Sequence, residues 1–236
     1  MTPEPKSNKE HNNHLGVAIL AAGQSTRMGK QKLLLPWCNS TILGHLITLY
    51  RTLPTSQITA VYTRGNSAVR NELERNAIPS PNWIENPKIS PEMYSSVLCA
   101  IRWKGWSNRI THIAIVLGDQ PQIRKATIFQ LTQFSRKNPE SICQPQYKEK
   151  RCHPVILPLS TARSMASRNF IHLKEALEAY KHLILPFPSQ DSGLINDIDT
   201  PKDYLEQRTL HGMSKQNGQE TEIHGEHCSR DSKGPC

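Results

Sequence analysis

"GVAILAAGQSTRMGKQKLLL", residues 16–35, runs a short apolar stretch into a polar insert and then returns to leucines. Residues 16–20 read as a buried strand, ended by the glycine-bearing segment that follows. Apolar residues flank the insert on both sides, so its charges are held at the edge of a core rather than loose in a tail. Gly23 can adopt backbone angles closed to other residues, which would turn successive amide N–H groups toward one anion. Ser25 and Thr26 add hydroxyl donors. Arg27 offers a planar fork for phosphate oxygens, and Lys30 and Lys32 supply compact charge on flexible stems. A triphosphate would use all of these, whereas composition alone leaves an ordinary basic surface loop as the alternative. Two better-known phosphate loops do not fit: Gly29-Lys30 is followed by Gln31 rather than Ser or Thr, and Gly23 has no glycine two residues on.

Beyond this loop the chain alternates. A helix is expected from a cap at Asn39 or Ser40 to about residue 53, with Ile42, Leu46 and Leu49 on one face, stopped by Pro54. Strands are expected at 57–62, 83–84 and 111–117, the last being the strongest in the sequence. Helices are expected at 67–76, 94–103 and 125–136, hairpin signals at 141–143 and 153–157, and further helices near 173–181 and 201–207. Such alternation implies a three-layer α/β/α domain with a mostly parallel central sheet covered on both faces. Ligands in open α/β sheets bind beyond the carboxyl ends of the strands, so the loops after Leu20, Leu117 and the last strand should carry the chemistry.

Two acidic segments fall in such loops. "VLGDQP", residues 116–121, places Asp119 just past the strongest strand, with Gly118 clearing space and Pro121 stiffening the exit. Magnesium is usually held by one or two carboxylates plus substrate phosphates and water, which suits Asp119; capping of the following turn is the alternative. "INDIDTPKDY", residues 195–204, supplies Asp197 and Asp199 ahead of a helix-start signal at Thr200-Pro201. Taken alone, an N-cap at Asp199 or Thr200 explains this segment. Residues two apart point the same way in extended chain, so both carboxylates can also face the crevice.

The 236 residues suit one domain. Residues 1–14 and 211–236 contain almost no large apolar side chains and cannot offset the entropy of ordering themselves, so disordered ends around a body at 15–210 are expected. These ends also depress the mean hydropathy to -0.55. A net charge of +9 favours anionic partners, but the basic residues are spread and aromatics make up only 6%, which argues against nucleic acid. No apolar stretch approaches the roughly 20 residues needed to span a bilayer, and no signal peptide is visible, so a cytoplasmic protein without a membrane partner is expected. Six cysteines without a C-x-x-C pair fit reduced thiols. Cys143, Cys152 and His153 lack a fourth ligand for a structural metal, and His224, His227 and Cys228 read as part of a solvated tail.

The segment from Leu20 to Lys32 resembles the signature L-A-A-G-x-S-x-R-M-G-x-x-K of the MobA-like nucleotidyltransferases, matched at Leu20, Ala21, Ala22, Gly23, Ser25, Arg27, Met28, Gly29 and Lys32. With Ala22 where guanylyl-transferring relatives carry glycine, it is similar to the molybdenum cofactor cytidylyltransferase branch. The resemblance implies a Rossmann-like nucleotide-diphospho-sugar transferase fold. It puts the Leu20, Ala21, Ala22 and Gly23 backbone against cytosine, with Ser25, Asn86, Met93, Ser95, Ser96 and Gly118 near the nucleotide. Arg27 and Lys32 would hold the triphosphate, Asp119 and Asp197 would hold Mg²⁺ or Mn²⁺, and Asp199 would organise the turn. Gln120 and His153 would lie at the acceptor end. Arg27, Lys32 and Asp119 are thus the expected catalytic residues.

The implied reaction is attack by a terminal phosphate of molybdopterin cofactor on the α-phosphorus of CTP, with loss of pyrophosphate. A molybdenum hydroxylase apoenzyme is the implied protein partner. Two positions depart from the pattern: Glu92 and Cys152 stand where the family carries glycine. Alternatives are transfer to another phosphorylated acceptor, such as a sugar phosphate, and a non-catalytic cofactor chaperone for a molybdenum hydroxylase.

Overall fold

The computed structural model describes residues 14–88 and 92–213. The segments expected to be disordered, with His224, His227 and Cys228, fall largely outside the described residues.

In chain order the strands are β1 (Leu15–Ala21), β2 (Pro36–Trp37), β3 (Ser40–Thr41), β4 (Thr55–Thr63), β5 (Trp83–Asn86), β6 (His112–Leu117), β7 (Ile142–Tyr147), β8 (Lys150–Arg151), β9 (Val155–Pro158) and β10 (Ile184–Ser189). The helices are α1 (Ile42–Arg51), α2 (Ser67–Arg75), α3 (Met93–Arg102), α4 (Lys125–Lys137), α5 (Leu159–Ala166), α6 (Leu173–Ala179) and α7 (Pro201–Leu210).

The main sheet has the order β10-β7-β9-β6-β1-β4-β5, with β8 added beside β7. β1 lies in its interior because every residue of that strand is buried. Val17, Ile19 and Ala21 enter the core cluster that includes Leu43, Leu46 and Ile47 of α1, while Ala18 and Leu20 enter the cluster with Val97 and Ala100 of α3. A near-continuous apolar run is what a parallel strand covered on both faces requires. Strand β1 pairs in parallel with β4 and β6, β4 with β5, and β10 with β7. Along this path only β9 opposes its neighbours, β6 and β7. The expected mostly parallel α/β architecture is therefore observed.

After β1 the chain proceeds outward to β4 and β5, then crosses back to β6 on the other side of β1. Leu20 and Leu117 are register partners, so the loops leaving β1 and β6 start side by side at the point where strand order reverses.

Local outcomes differ from the sequence reading in four places. Helix α1 is capped by Thr41, whose hydroxyl accepts the Gly44 N–H at 2.9 Å, rather than by Asn39 or Ser40. Helix α5 carried no clear sequence signal, yet it follows β9 directly and buries Leu159, Ala162, Met165 and Ala166. Strand β10 forms despite Pro186 and Pro188 because it is a sheet edge, where one side needs no N–H donors. At the far end, His211 packs its ring 5.4 Å from that of Trp37, and Met213 Sδ accepts the Cys38 N–H at 3.0 Å, so ordered packing continues past residue 210. No helix among the described residues is long and apolar enough to cross a membrane.

Candidate active site

Beyond β1 the chain makes a single 3-10 turn, Thr26–Met28, closed by Met28 N–H to Ser25 O at 2.9 Å and Gly29 N–H to Thr26 O at 3.3 Å. The left-handed conformations fall at its two ends, on Ser25 (φ 52°) and Gly29 (φ 63°). Gly23 therefore acts differently from the expectation. A Cβ there would meet nothing within 4 Å, so its missing side chain leaves the crevice mouth open. Buried Met28 anchors the turn, and Ser25 Oγ accepts the Lys32 N–H at 3.1 Å, which fixes where the lysine leaves the backbone. Gly118 is required by close approach: a Cβ would lie 2.6 Å from Leu20 O, where β6 meets β1.

From that anchored position the Lys32 side chain, only 10% exposed, runs into the crevice. Its Nζ donates to Asp119 Oδ2 at 2.7 Å, to Ile198 O at 3.0 Å and to Asp199 Oδ1 at 3.1 Å. The other Asp199 oxygen pairs with Arg27 Nη2 at 2.9 Å. The glycine-rich loop, the β6 end and the segment before α7 thus meet at one ammonium group. A backbone bond from Ile198 N–H to Asp119 O, 3.1 Å, joins the two acidic loops directly.

These groups line a cavity of about 400 Å³ with Leu20, Ala22, Gly23, Ser25, Gly118 and Asp197. Gln24, Leu33 and Leu117 also line it, although the sequence marks none of them as a site residue and the two leucines carry only a core signal.

Asp199 corrects one expectation. The turn before α7 is organised by Thr200 and Asp203, which form a reciprocal capping box, while the Asp199 carboxylate faces Arg27 and Lys32. Asn86 corrects another: buried to 1% exposure, its amide donates to Ser95 Oγ at 2.9 Å and Ser96 Oγ at 3.0 Å, and its oxygen accepts Lys88 N–H. It holds the start of α3 instead of lining the cavity, which Ser96 and Met93 do. Ser95 is likewise tied to the loop through Glu92 O at 2.8 Å, and the Ala21 methyl lies in the core because alternation along β1 turns it away from Leu20 and Ala22.

Neither expected acceptor residue lines the cavity. Gln120 is buried and donates to Asp197 Oδ1 at 2.6 Å. His153 lies beneath, with Nδ1 3.5 Å from Ile115 O; burial lowers its pKa, against the opposing influence of that carbonyl, Asp119 and Asp197.

Both glycine departures fit the backbone. Glu92 is extended (φ −65°), a conformation open to any residue, and Cys152 is packed in the core with its N–H on Pro145 O at 2.8 Å. Burial raises the Cys152 and Cys143 thiols, the latter to about 11, which keeps both protonated at neutral pH.

The site also fits a divalent cation. Asp119 Oδ1 is buried without a hydrogen-bond partner, while Lys32 takes the other oxygen, and Asp197 borders the same cavity. No group of three or more His, Cys, Asp or Glu converges as a metal site among the described residues. Such a cation would complete its shell with substrate phosphates and water, as magnesium commonly does.

Comparison with known proteins gives the family and the fold. The model of the MobA-like NTP transferase domain matches residues 17–183. The chain is 27% identical over 188 residues to molybdenum cofactor cytidylyltransferase of Escherichia coli K12, an alignment covering 79% of this chain and 92% of that protein. It is 29% identical over 217 residues to purine catabolism protein PucB of Bacillus subtilis 168, covering 80% and 93%. Among solved structures, Rv0371C of Mycobacterium tuberculosis H37Rv in complex with manganese superposes with a TM-score of 0.65 at 22% identity, over 83% of this chain and 97% of that one.

Proposed function

This chain belongs to the MobA-like NTP transferase family, a nucleotidyltransferase family, and from that premise we propose that it transfers CMP from CTP to molybdenum cofactor with release of pyrophosphate. The observation that carries the reading is Lys32, whose ammonium gathers the glycine-rich loop, Asp119 and Asp199 at the floor of one cavity. The similarity to the E. coli cytidylyltransferase supports cytidine as the base and molybdenum cofactor as the acceptor.

A phosphate nucleophile is already anionic at neutral pH, so the site needs no general base. It must instead align two phosphates and offset their charge as pyrophosphate leaves. Lys32 and Arg27 supply that charge, Lys32 from a fixed position and Arg27 from the exposed rim. Leu20, Ala22 and Gly23 present backbone and open space on the nucleotide side, and Ser25 holds the loop in shape. Asp119 and Asp197 would hold Mg²⁺ or Mn²⁺, which when bound neutralises phosphate charge and polarises the phosphoryl oxygens.

The test is pyrophosphate release with CTP, GTP, ATP or UTP and Mg²⁺, in separate arms with molybdenum cofactor and with sugar phosphates. CTP-selective turnover with molybdenum cofactor is expected. Selectivity for GTP, or robust turnover with a sugar phosphate, overturns the assignment. A parallel thermal-shift panel reads nucleotide preference without an acceptor, because a ligand bound only to the folded state raises its stability.

A further inference from the structure

Outside the cavity, a second set of buried polar contacts fastens the segment carrying Asp197 to the segment carrying Asp119. Gln122, 2% exposed, donates from Nε2 to Gly193 O at 2.9 Å and to Asn196 O at 2.6 Å. Asp191, 4% exposed, accepts Arg124 N–H at 2.9 Å and Thr127 Oγ1–H at 2.7 Å on one oxygen, and Gly193 N–H at 3.0 Å on the other. The two segments also touch backbone to backbone, since a Cβ on Gly193 would lie 2.8 Å from Gln122 O. Thr127 belongs to the first turn of α4, so the clamp ties the segment before α7 to a rigid helix.

We propose that Gln122 and Asp191 are positioning residues that hold Asp197 at the spacing from Asp119 needed for the two carboxylates to share one cation, an inference that rests on the metal-dependent transfer proposed above. Neither touches the cavity. Their effect passes through the loop: Gln122 fixes the carbonyl of Asn196, the residue immediately before Asp197, and Asp191 fixes the start of the same turn. Divalent cations tolerate little error in ligand placement, and outer partners of metal ligands commonly set affinity by about 10- to 100-fold.

The test titrates Mn²⁺ into the full chain in the presence of CTP, read by electron paramagnetic resonance. Gln122→Leu keeps similar bulk without the donor, and Asp191→Asn keeps shape while replacing one acceptor oxygen. Each is expected to raise the Mn²⁺ Kd about 10-fold or more. Each should also lose turnover that excess Mn²⁺ restores. A purely structural role would lower the melting temperature and leave the Mn²⁺ Kd of the folded fraction at the wild-type value, and that result overturns the proposal. Should both variants fail to fold, Thr127→Val removes one bond to Asp191 and is read against the same criterion. Wild-type protein that binds no Mn²⁺ with CTP present removes the metal reading itself, an outcome distinct from variants that match a binding-competent wild type.

Discussion

Asp199 holds one carboxylate oxygen 2.9 Å from Arg27 and the other 3.1 Å from Lys32, so both cations expected to meet a triphosphate already face an internal anion. A triphosphate approaching them competes with that carboxylate. Asp199→Asn removes the competing charge while keeping shape, and the KM for CTP should fall severalfold, measured in steady state at fixed Mg²⁺; an unchanged or raised KM would show that Asp199 does not oppose binding. The two nearby lysines separate for a related reason. Lys32 is held by three acceptors, whereas Lys30 is exposed and does not line the cavity. Lys32→Ala should lower kcat/KM about 10²- to 10³-fold, the usual effect of removing a fixed group that stabilises transition-state charge, while Lys30→Ala stays near wild type. Equal losses would contradict the division. In the sequence the chemistry of the loop points to Arg27 and to both lysines, and signature spacing alone prefers Lys32 to Lys30. The sequence assigns Asp197 to the metal and Asp199 to the turn; that Asp199 instead faces Arg27 and Lys32 while Asp197 takes Gln120 is set by residues far along the chain, which leave no local pattern.

At the scale of elements, α7 begins with a capping box that fixes the chain immediately after Asp199. Thr200 Oγ1 accepts Asp203 N–H at 3.2 Å, and Asp203 Oδ2 accepts Thr200 N–H at 2.7 Å and Asp199 N–H at 3.1 Å. Hydrogen bonding from Thr200 holds the Asp203 carboxyl below its ordinary value of 3.8, against the opposing effect of burial. Thr200→Ala should cost about 1 kcal/mol, a typical N-cap loss, and lower the melting temperature by roughly 2–4 °C for a domain of this size. Calorimetry checks it, and a change within error would mean the cap is redundant with the packing of Tyr204, whose hydroxyl donates to Pro36 O. This helix start was readable from Thr200-Pro201, as were β1 and β6 from their unbroken apolar runs. Strand β10 was hidden by its two prolines, which matter only if the strand is central, and its edge position follows from pairing with a distant β7. The hairpin signals at 141–143 and 153–157 announce the reversal of β9 against β7, whereas its pairing with β6 is set by a long-range contact that leaves no local pattern. Gln122 and Asp191 had no signal for the same reason: their partners lie far along the chain.

For the whole molecule, histidines shielded from solvent make stability depend on pH, among them the buried His112 and the half-buried His45. His112 has Nε2 2.7 Å from Pro139 O and Nδ1 2.9 Å from the Thr111 hydroxyl; burial lowers its pKa, against the opposing influence of Pro139 O and Glu140. His45 is lowered by burial too, with a further contribution from nearby His211 and an opposing one from the Pro121 backbone. Both start from an ordinary value of 6.5, so below that pH the unfolded chain binds protons that the folded chain refuses. Their contribution is fully present above pH 6.5 and is lost as pH falls from there toward the lowered folded values. Asp203 adds a loss of the same sign at lower pH, since its folded pKa is also depressed. The unfolding free energy from urea titration should therefore decline between about pH 7 and pH 5, and His112→Gln should flatten that decline while lowering stability at the upper end. A pH profile of His112→Gln parallel to wild type would show that the imidazole is protonated as readily inside the fold as outside it, contrary to its burial against Pro139.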